Sequence, residues 1–189
     1  MKIKYLILIF AIIVGCNSRE SEFKQQIKLF QNQSIPFGKS ELLNNNNYHI
    51  SASNNLDSSF IAKYIDPNFN KNRYTETYME EFKDNGDVEK IPYTVKMYYS
   101  KICNLSINKK FHSIMYVSYQ NNLSPVSDSL FLVNIDDQGR ILGKTSFDKY
   151  KVYSDKNYTF KILKDLITVV DNNKTTEYII QSDGAIIKK

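Results

Sequence analysis

The sequence predicts a mainly β protein of the α+β kind. It reads as an antiparallel meander that can curl into a barrel or half-barrel, preceded by one or two short helices. Three observations carry this. From residue 91 onward, runs rich in Val, Ile, Tyr, Phe and Thr recur with turn signals between them. The connectors between those runs are short, which joins neighbouring strands in antiparallel order. Only toward the amino end do apolar residues fall at helical spacings of three and four.

Taken in order, Phe23, Ile27 and Phe30 share one helical face, and the spacing predicts a short amphipathic helix over 22–31. Ser21 stands as its N-cap, although Lys24 sits where a capping box wants an acid. "SIPFGKSELL" reads as extended chain and "NNNN" at 44–47 as a loop tip. In "NLDSSFIAKYI", Asp57 or Ser58 can cap a second helix whose buried face is Phe60, Ile61 and Tyr64. Pro67 ends it by disfavouring helix at Asp66. "RYTETYMEEF" is ambiguous between strand and a turn of helix, and "KDNGDVEK" after it holds a hairpin-type Asn-Gly.

The strands then run as "YTVKMYYSKI", "FHSIMYVSYQ", "SLFLVNID", "RILGKTSF", "KVYS", "YTFKIL", "LITVVD", "TEYIIQ" and "AIIKK". Leu130 and Leu132 lie on one face of their strand and Phe131 and Val133 on the other, so the sheet is covered on both sides or curled on itself. The amino-terminal helices are the candidates to cover one face. No internal repeat at fixed period is present, although "VNIDDQGRIL" and "YIIQSDGAII" are alike.

The amino terminus carries an address. Lys2 and Lys4 precede the apolar run Tyr5 to Val14, and Cys16 follows. A ten-residue helix is about 15 Å long, half of the roughly 30 Å needed to cross a bilayer. Its length and basic flank fit the apolar region of a secretory signal. Ile13-Val14-Gly15-Cys16 resembles the lipobox of bacterial lipoproteins. That resemblance implies cleavage before Cys16 and lipid on its thiol and new amine, about three acyl chains in all. Each buried methylene contributes about 0.8 kcal/mol, so several chains make a durable anchor where one would not. The division that follows is a signal at 1–15, a tether at 16–22 and a single β-rich domain at 23–189. Asn17 after the cysteine favours the outer membrane by the sorting rule of enteric bacteria, facing either periplasm or surface. The lipobox, the amphipathic helix, the "PF" stretch and the closing meander together are similar to small lipoproteins of Bacteroidota, a likeness that implies no activity.

The whole-chain charge is +5, and loss of Lys2 and Lys4 with the signal leaves +3, scattered rather than clustered. This speaks against nucleic acid as a partner. With Cys16 carrying lipid, Cys103 is left alone, and it reads as a buried strand cysteine. His49 and His112 are isolated, and no metal-ligand spacing, phosphate loop or nucleophile motif is present, so no catalytic residue, metal or cofactor is assigned. The acidic turns at 84–87 and 136–139 lack the twelfth-position Glu of a calcium hand-loop, since Val95 and Phe147 stand there. Glu80 and Glu81 are adjacent and point apart, so they form no glycosidase dyad.

Fourteen tyrosines and no tryptophan leave Tyr98, Tyr99, Tyr116 and Tyr119 as candidates to line an aromatic ligand groove. Asp128-Ser129-Leu130 resembles the O-glycosylation motif of exported Bacteroidota proteins, with Ser129 as the acceptor. The expectation is a non-enzymatic envelope lipoprotein, held in the bilayer by acylated Cys16, that binds an envelope protein, a glycan or a toxin. An envelope hydrolase and an immunity protein against a secreted toxin are the alternatives.

Overall fold

The computed structural model of the chain describes residues 22–44, 54–83, 86–120 and 129–189. Cys16 and His49 lie outside them. The described residues form a mainly β protein with two sheets and several short helices, and the sheets do not close into a barrel.

The order of elements begins with helix α1 (22–27), strand β1 (Gln31–Gln33), strand β2 (Phe37–Gly38) and helix α2 (Lys39–Asn44). Helix α3 (Ser58–Phe60) runs on through a wider π-helical turn (Ile61–Ile65), and α4 (Phe69–Asn72) follows. Then come β3 (Tyr74–Phe82), β4 (Val88–Leu105), β5 (His112–Gln120), β6 (Ser129–Ile135), β7 (Ile141–Asp148) and α5 (Lys149–Ser154). The chain closes on β8 (Tyr158–Ile162), β9 (Leu166–Asp171), β10 (Lys174–Ile180) and β11 (Ile186–Lys188).

The first sheet runs β1-β4-β5-β6-β7, with β3 also paired to β4; the second runs β11-β10-β9-β8-β2. The expected meander is therefore divided into two. One stretch of consecutive antiparallel strands runs from β3 to β7 and another from β8 to β11. Two parts of the expectation are corrected. β1 lies parallel to β4, so the first sheet is mixed rather than antiparallel throughout. The barrel is replaced by an open sheet whose face is covered by the second sheet. Strand pattern shows that a face is buried, and either closure or a second layer satisfies it.

Two apolar clusters sit on the two faces of the first sheet. On one face Met115, Val117, Leu130, Leu132 and Phe147 pack against Phe160, Ile162 and Ile167 of the second sheet. The Phe147 and Phe160 rings stack there at 4.6 Å. On the other, Ile114, Tyr116, Val133 and Ile135 pack against Phe23, Phe60, Ile61 and Tyr64 of the helices. The layers are thus helices, sheet, sheet, as the two-faced apolar character of β6 requires.

Local chemistry explains the elements. Asp57 caps α3 by accepting from the Ser59 and Phe60 N–H groups, and its carboxylate also takes the Ser59 hydroxyl. Asn172 and Asn173 both take positive φ, 47° and 68°, the two-residue turn that joins β9 to β10. Gly143 lies where the two sheets meet: a Cβ there would stand 2.6 Å from the Ile186 nitrogen. Beside it the buried Asn134 amide donates to the Gly184 carbonyl at 2.8 Å and its oxygen accepts from Ser113 at 2.7 Å, tying β6 and β5 to the β10–β11 turn.

Three local readings change. The helix expected over 22–31 ends at 27, and Gln31 opens β1. "SELL" is helix α2 rather than extended chain. "KVYS" is helix α5 rather than strand, because Asp148 accepts from the Lys151 N–H and starts a helical turn that buries Val152.

Candidate functional site

The four tyrosines singled out in the sequence form two pairs on opposite faces of the first sheet. Neighbours in a strand point to opposite sides. Tyr98 stacks on Tyr119 at 5.3 Å, and the Tyr119 hydroxyl donates to Asn55 at 2.8 Å. Tyr99 meets Tyr116 at 5.8 Å on the helix-covered face. Tyr116 is fully buried, stacks on Phe131 at 5.1 Å, and its hydroxyl has no hydrogen-bond partner among the described residues.

Burial shapes the titration of this cluster. It pushes the Tyr99 phenol up to about 12, helped by the Asp66 carboxylate, to which the Tyr99 hydroxyl donates at 3.1 Å. Burial also raises Tyr116, with smaller contributions from Tyr99 and Asp66. The amine of Lys144 lies over the Phe131 ring at 4.2 Å; burial of that end lowers its pKa, and Asp66 opposes the shift.

Ser129 opens β6, half-buried, in register between Ser118 and Asp148, while Asp128 lies outside the described residues. Cys103 is a fully buried thiol set between Gln31 and Met115 in the ladder. His112 pairs with Asp137 at 3.0 Å. The 136–139 turn is held by its own backbone: Asp136 accepts from the Gln138 and Arg140 N–H groups at 2.9 Å, and Gly139 takes a φ of 78°. No group of three or more metal-ligating side chains gathers among the described residues.

Two surface features remain. One is an open cleft of about 840 Å³ between the β4–β5 connection and the β8–β9 turn, rimmed by Lys109, Lys110, Lys164 and His112. None of its three lysines makes an ion pair among the described residues, and His112 is paired with Asp137.

The other is the ribbon formed by β3 and the outer half of β4. Nine register pairs, from Tyr74–Lys96 to Phe82–Val88, carry it beyond the end of β5, whose last residue pairs with Met97. Nine residues of strand reach about 30 Å. Every described side chain of β3 is exposed, and so are those of β4 at Val88–Lys90, Pro92 and Thr94. Phe82 is 75% exposed, Tyr78 62% and Met79 52%.

The bonding of the ribbon follows from two contacts. The Met97 N–H donates to the Arg73 carbonyl at 2.9 Å, and the Lys83 N–H donates to the Asp87 carbonyl at 2.9 Å. Odd-numbered residues of β3 therefore bond to β4, and the backbone groups of Tyr74, Glu76, Tyr78, Glu80 and Phe82 point outward. That outer edge is unpaired among the described residues. By the same alternation, the missing N–H of Pro92 lies on the far edge of β4, where a proline costs no ladder bond.

Sequence reading left this segment undecided between helix and strand. The signal that separates them is the alternation Tyr74, Glu76, Tyr78, Glu80, Phe82, which puts aromatic and acid in turn along one face of a strand. Comparison with protein-family models, with curated proteins and with solved structures finds no match for this chain. No helix among the described residues is long and apolar enough to cross a membrane.

Proposed function

We propose that this chain is a lipid-anchored, non-enzymatic component of the bacterial envelope that holds a partner through its β3–β4 ribbon. The observation that carries the reading is Ile13-Val14-Gly15-Cys16 closing a ten-residue apolar run behind two lysines. Such a segment is too short to span a bilayer, and a cysteine placed there is a site for acylation. The ribbon supports the binding half: it puts aromatic side chains into solvent on a two-stranded arm, an element of marginal stability by itself.

Metabolic labelling with a fatty acid tests the anchor. The wild-type chain incorporates label and sediments with membranes, whereas Cys16→Ala incorporates none. Digestion of the labelled protein by protease added to intact cells assigns it to the surface, and protection assigns it to the periplasmic face. An unlabelled wild-type chain refutes the anchor.

A further inference from the structure

We infer that the outer edge of β3 is a strand-addition site for an extended, basic segment of a partner protein. This rests on the reading of the ribbon as the binding surface and is independent of the lipid anchor.

The backbone supplies the first half of the argument. Tyr74, Glu76, Tyr78, Glu80 and Phe82 all turn their N–H and C=O groups to the outside, over the full length of β3. A long unpaired edge of this kind is a template for one more strand. Natural edges are commonly guarded by lysine, proline, a bulge or shortness. β3 contains no Lys or Pro, runs for nine residues and keeps an unbroken register with β4; its charges are three glutamates, which guard the edge against another acidic strand and leave it open to a basic one.

The side chains of the same five residues supply the second half. They share one face, with successive members about 7 Å apart. The row reads aromatic, acid, aromatic, acid, aromatic. Neither Glu76 nor Glu80 makes an ion pair among the described residues, and β3 as a whole holds three glutamates and no cation.

The base of the row already shows the chemistry that suits it. Lys96 faces Tyr74 across the ladder with its amine 5.9 Å from the ring, and the Arg73 guanidinium is 5.4 Å from the same ring. Farther out, β4 sets Pro92 against Tyr78, Lys90 against Glu80 and Val88 against Phe82, so one cation serves this stretch from the inner side and none stands directly opposite either ring. A strand laid on the outer edge with Lys or Arg at alternate positions places cations opposite Glu76 and Glu80 and beside the Tyr78 and Phe82 rings. A second copy of β3 does not, because two such strands would bring six carboxylates together with no cation in either. An anionic bilayer is repelled by the same three acids.

The test uses the full-length chain in detergent and two nine-residue peptides, one alternating Lys and Thr and the other Glu and Thr. Binding is read by anisotropy and amide hydrogen exchange. The lysine peptide binds, slows exchange at Tyr74, Glu76, Tyr78, Glu80 and Phe82, and loses affinity as salt is raised; the glutamate peptide does neither. Reversing both charges with Glu76→Lys and Glu80→Lys weakens the lysine peptide by about tenfold or more. Tyr78→Pro removes one outward N–H while leaving every β3–β4 bond in place, so it abolishes the protection without altering the near-ultraviolet circular dichroism of the body. Equal binding of the two peptides, or binding of neither, overturns the proposal. So does the same protection arising without peptide, either from raised protein concentration or from phosphatidylglycerol vesicles. These outcomes assign the edge to self-association or to lipid, and none of them bears on acylation of Cys16.

Discussion

The β5–β6 pair and the β3–β4 ribbon are both antiparallel pairs rich in apolar and aromatic residues, and they meet opposite fates. In β5–β6, Met115, Val117, Leu130 and Leu132 face the second sheet while Ile114, Tyr116 and Val133 face the helices, so both sides are buried. In the ribbon, Tyr74, Tyr78, Met79, Phe82 and Val88 are exposed. Apolar and aromatic content does not separate the two pairs, although the ribbon carries Glu and Lys side chains where β5 and β6 carry none. What separates them is whether another layer lies over the face, and glutamates along β3 accompany the uncovered case. Apolar content in a strand therefore measures its capacity to be covered, and the covering element must be sought elsewhere in the chain or in another molecule.

That comparison can be broken most forcefully in the body. Leu132→Ala removes a fully buried side chain between the sheets and is expected to cost about 2–5 kcal/mol, measured as a fall in the urea midpoint at unchanged slope. A loss below about 0.5 kcal/mol would mean that the two sheets are not packed as described.

The effect at the helix layer is smaller and depends on pH. Asp57→Ala removes the cap of α3 and is expected to cost about 1 kcal/mol near neutrality. The Ser59 hydroxyl and N–H, with the Phe60 and Ser58 N–H groups, hold the Asp57 carboxyl below its ordinary value of 3.8 against the opposing effect of burial. Its contribution is thus complete above that value and is lost as pH falls through the lowered folded-state pKa. Denaturation curves of wild type and variant, apart at pH 7, should converge at the acid end of the scale. A gap that persists in strong acid would assign the loss to packing instead of the charged cap.

The smallest effect is expected on the ribbon. Phe82→Ser takes from the tip the large apolar side chain that is most exposed among the described residues, and should move stability by no more than about 0.5 kcal/mol either way. A loss comparable to that of Leu132→Ala would show that the ribbon tip is covered in the folded molecule.

Much of the body was legible in the sequence. The two-faced apolar pattern of Leu130, Leu132, Phe131 and Val133 announced a sheet covered on both sides, and Phe23, Phe60, Ile61 and Tyr64 announced the helical cover. Closure was not legible, since alternation states that a face is buried without naming the layer against it. "KVYS" reads as strand by propensity, and only the Asp148 cap three residues before Lys151 tips it into helix. The division of the tyrosines followed in part from adjacency, because Tyr98 and Tyr99 must point apart. That Tyr119 falls opposite Tyr98, and that a register shift follows Lys101, is fixed by long-range pairing that no local pattern encodes. The ribbon was half legible: the alternation from Tyr74 to Phe82 carries a strand signal, but "YMEEF" taken alone is as good a helix turn, and the pairing with β4 decides between them.

β4 is one unbroken strand of 18 residues, with its outer half in the ribbon and its inner half in the sheet. Its ladder bonds to β5 run across the strand direction. A pull on the ribbon along β4 therefore loads the rungs between Met97 and Leu105 in shear, on both sides of the register shift between Lys101 and Cys103. A pull across the ribbon parts β3 from β4 rung by rung from the Tyr74–Lys96 end, since the chain itself joins the two strands beyond Phe82 and Val88. The same arm is stiff toward a load in line with the sheet and yielding toward one from the side.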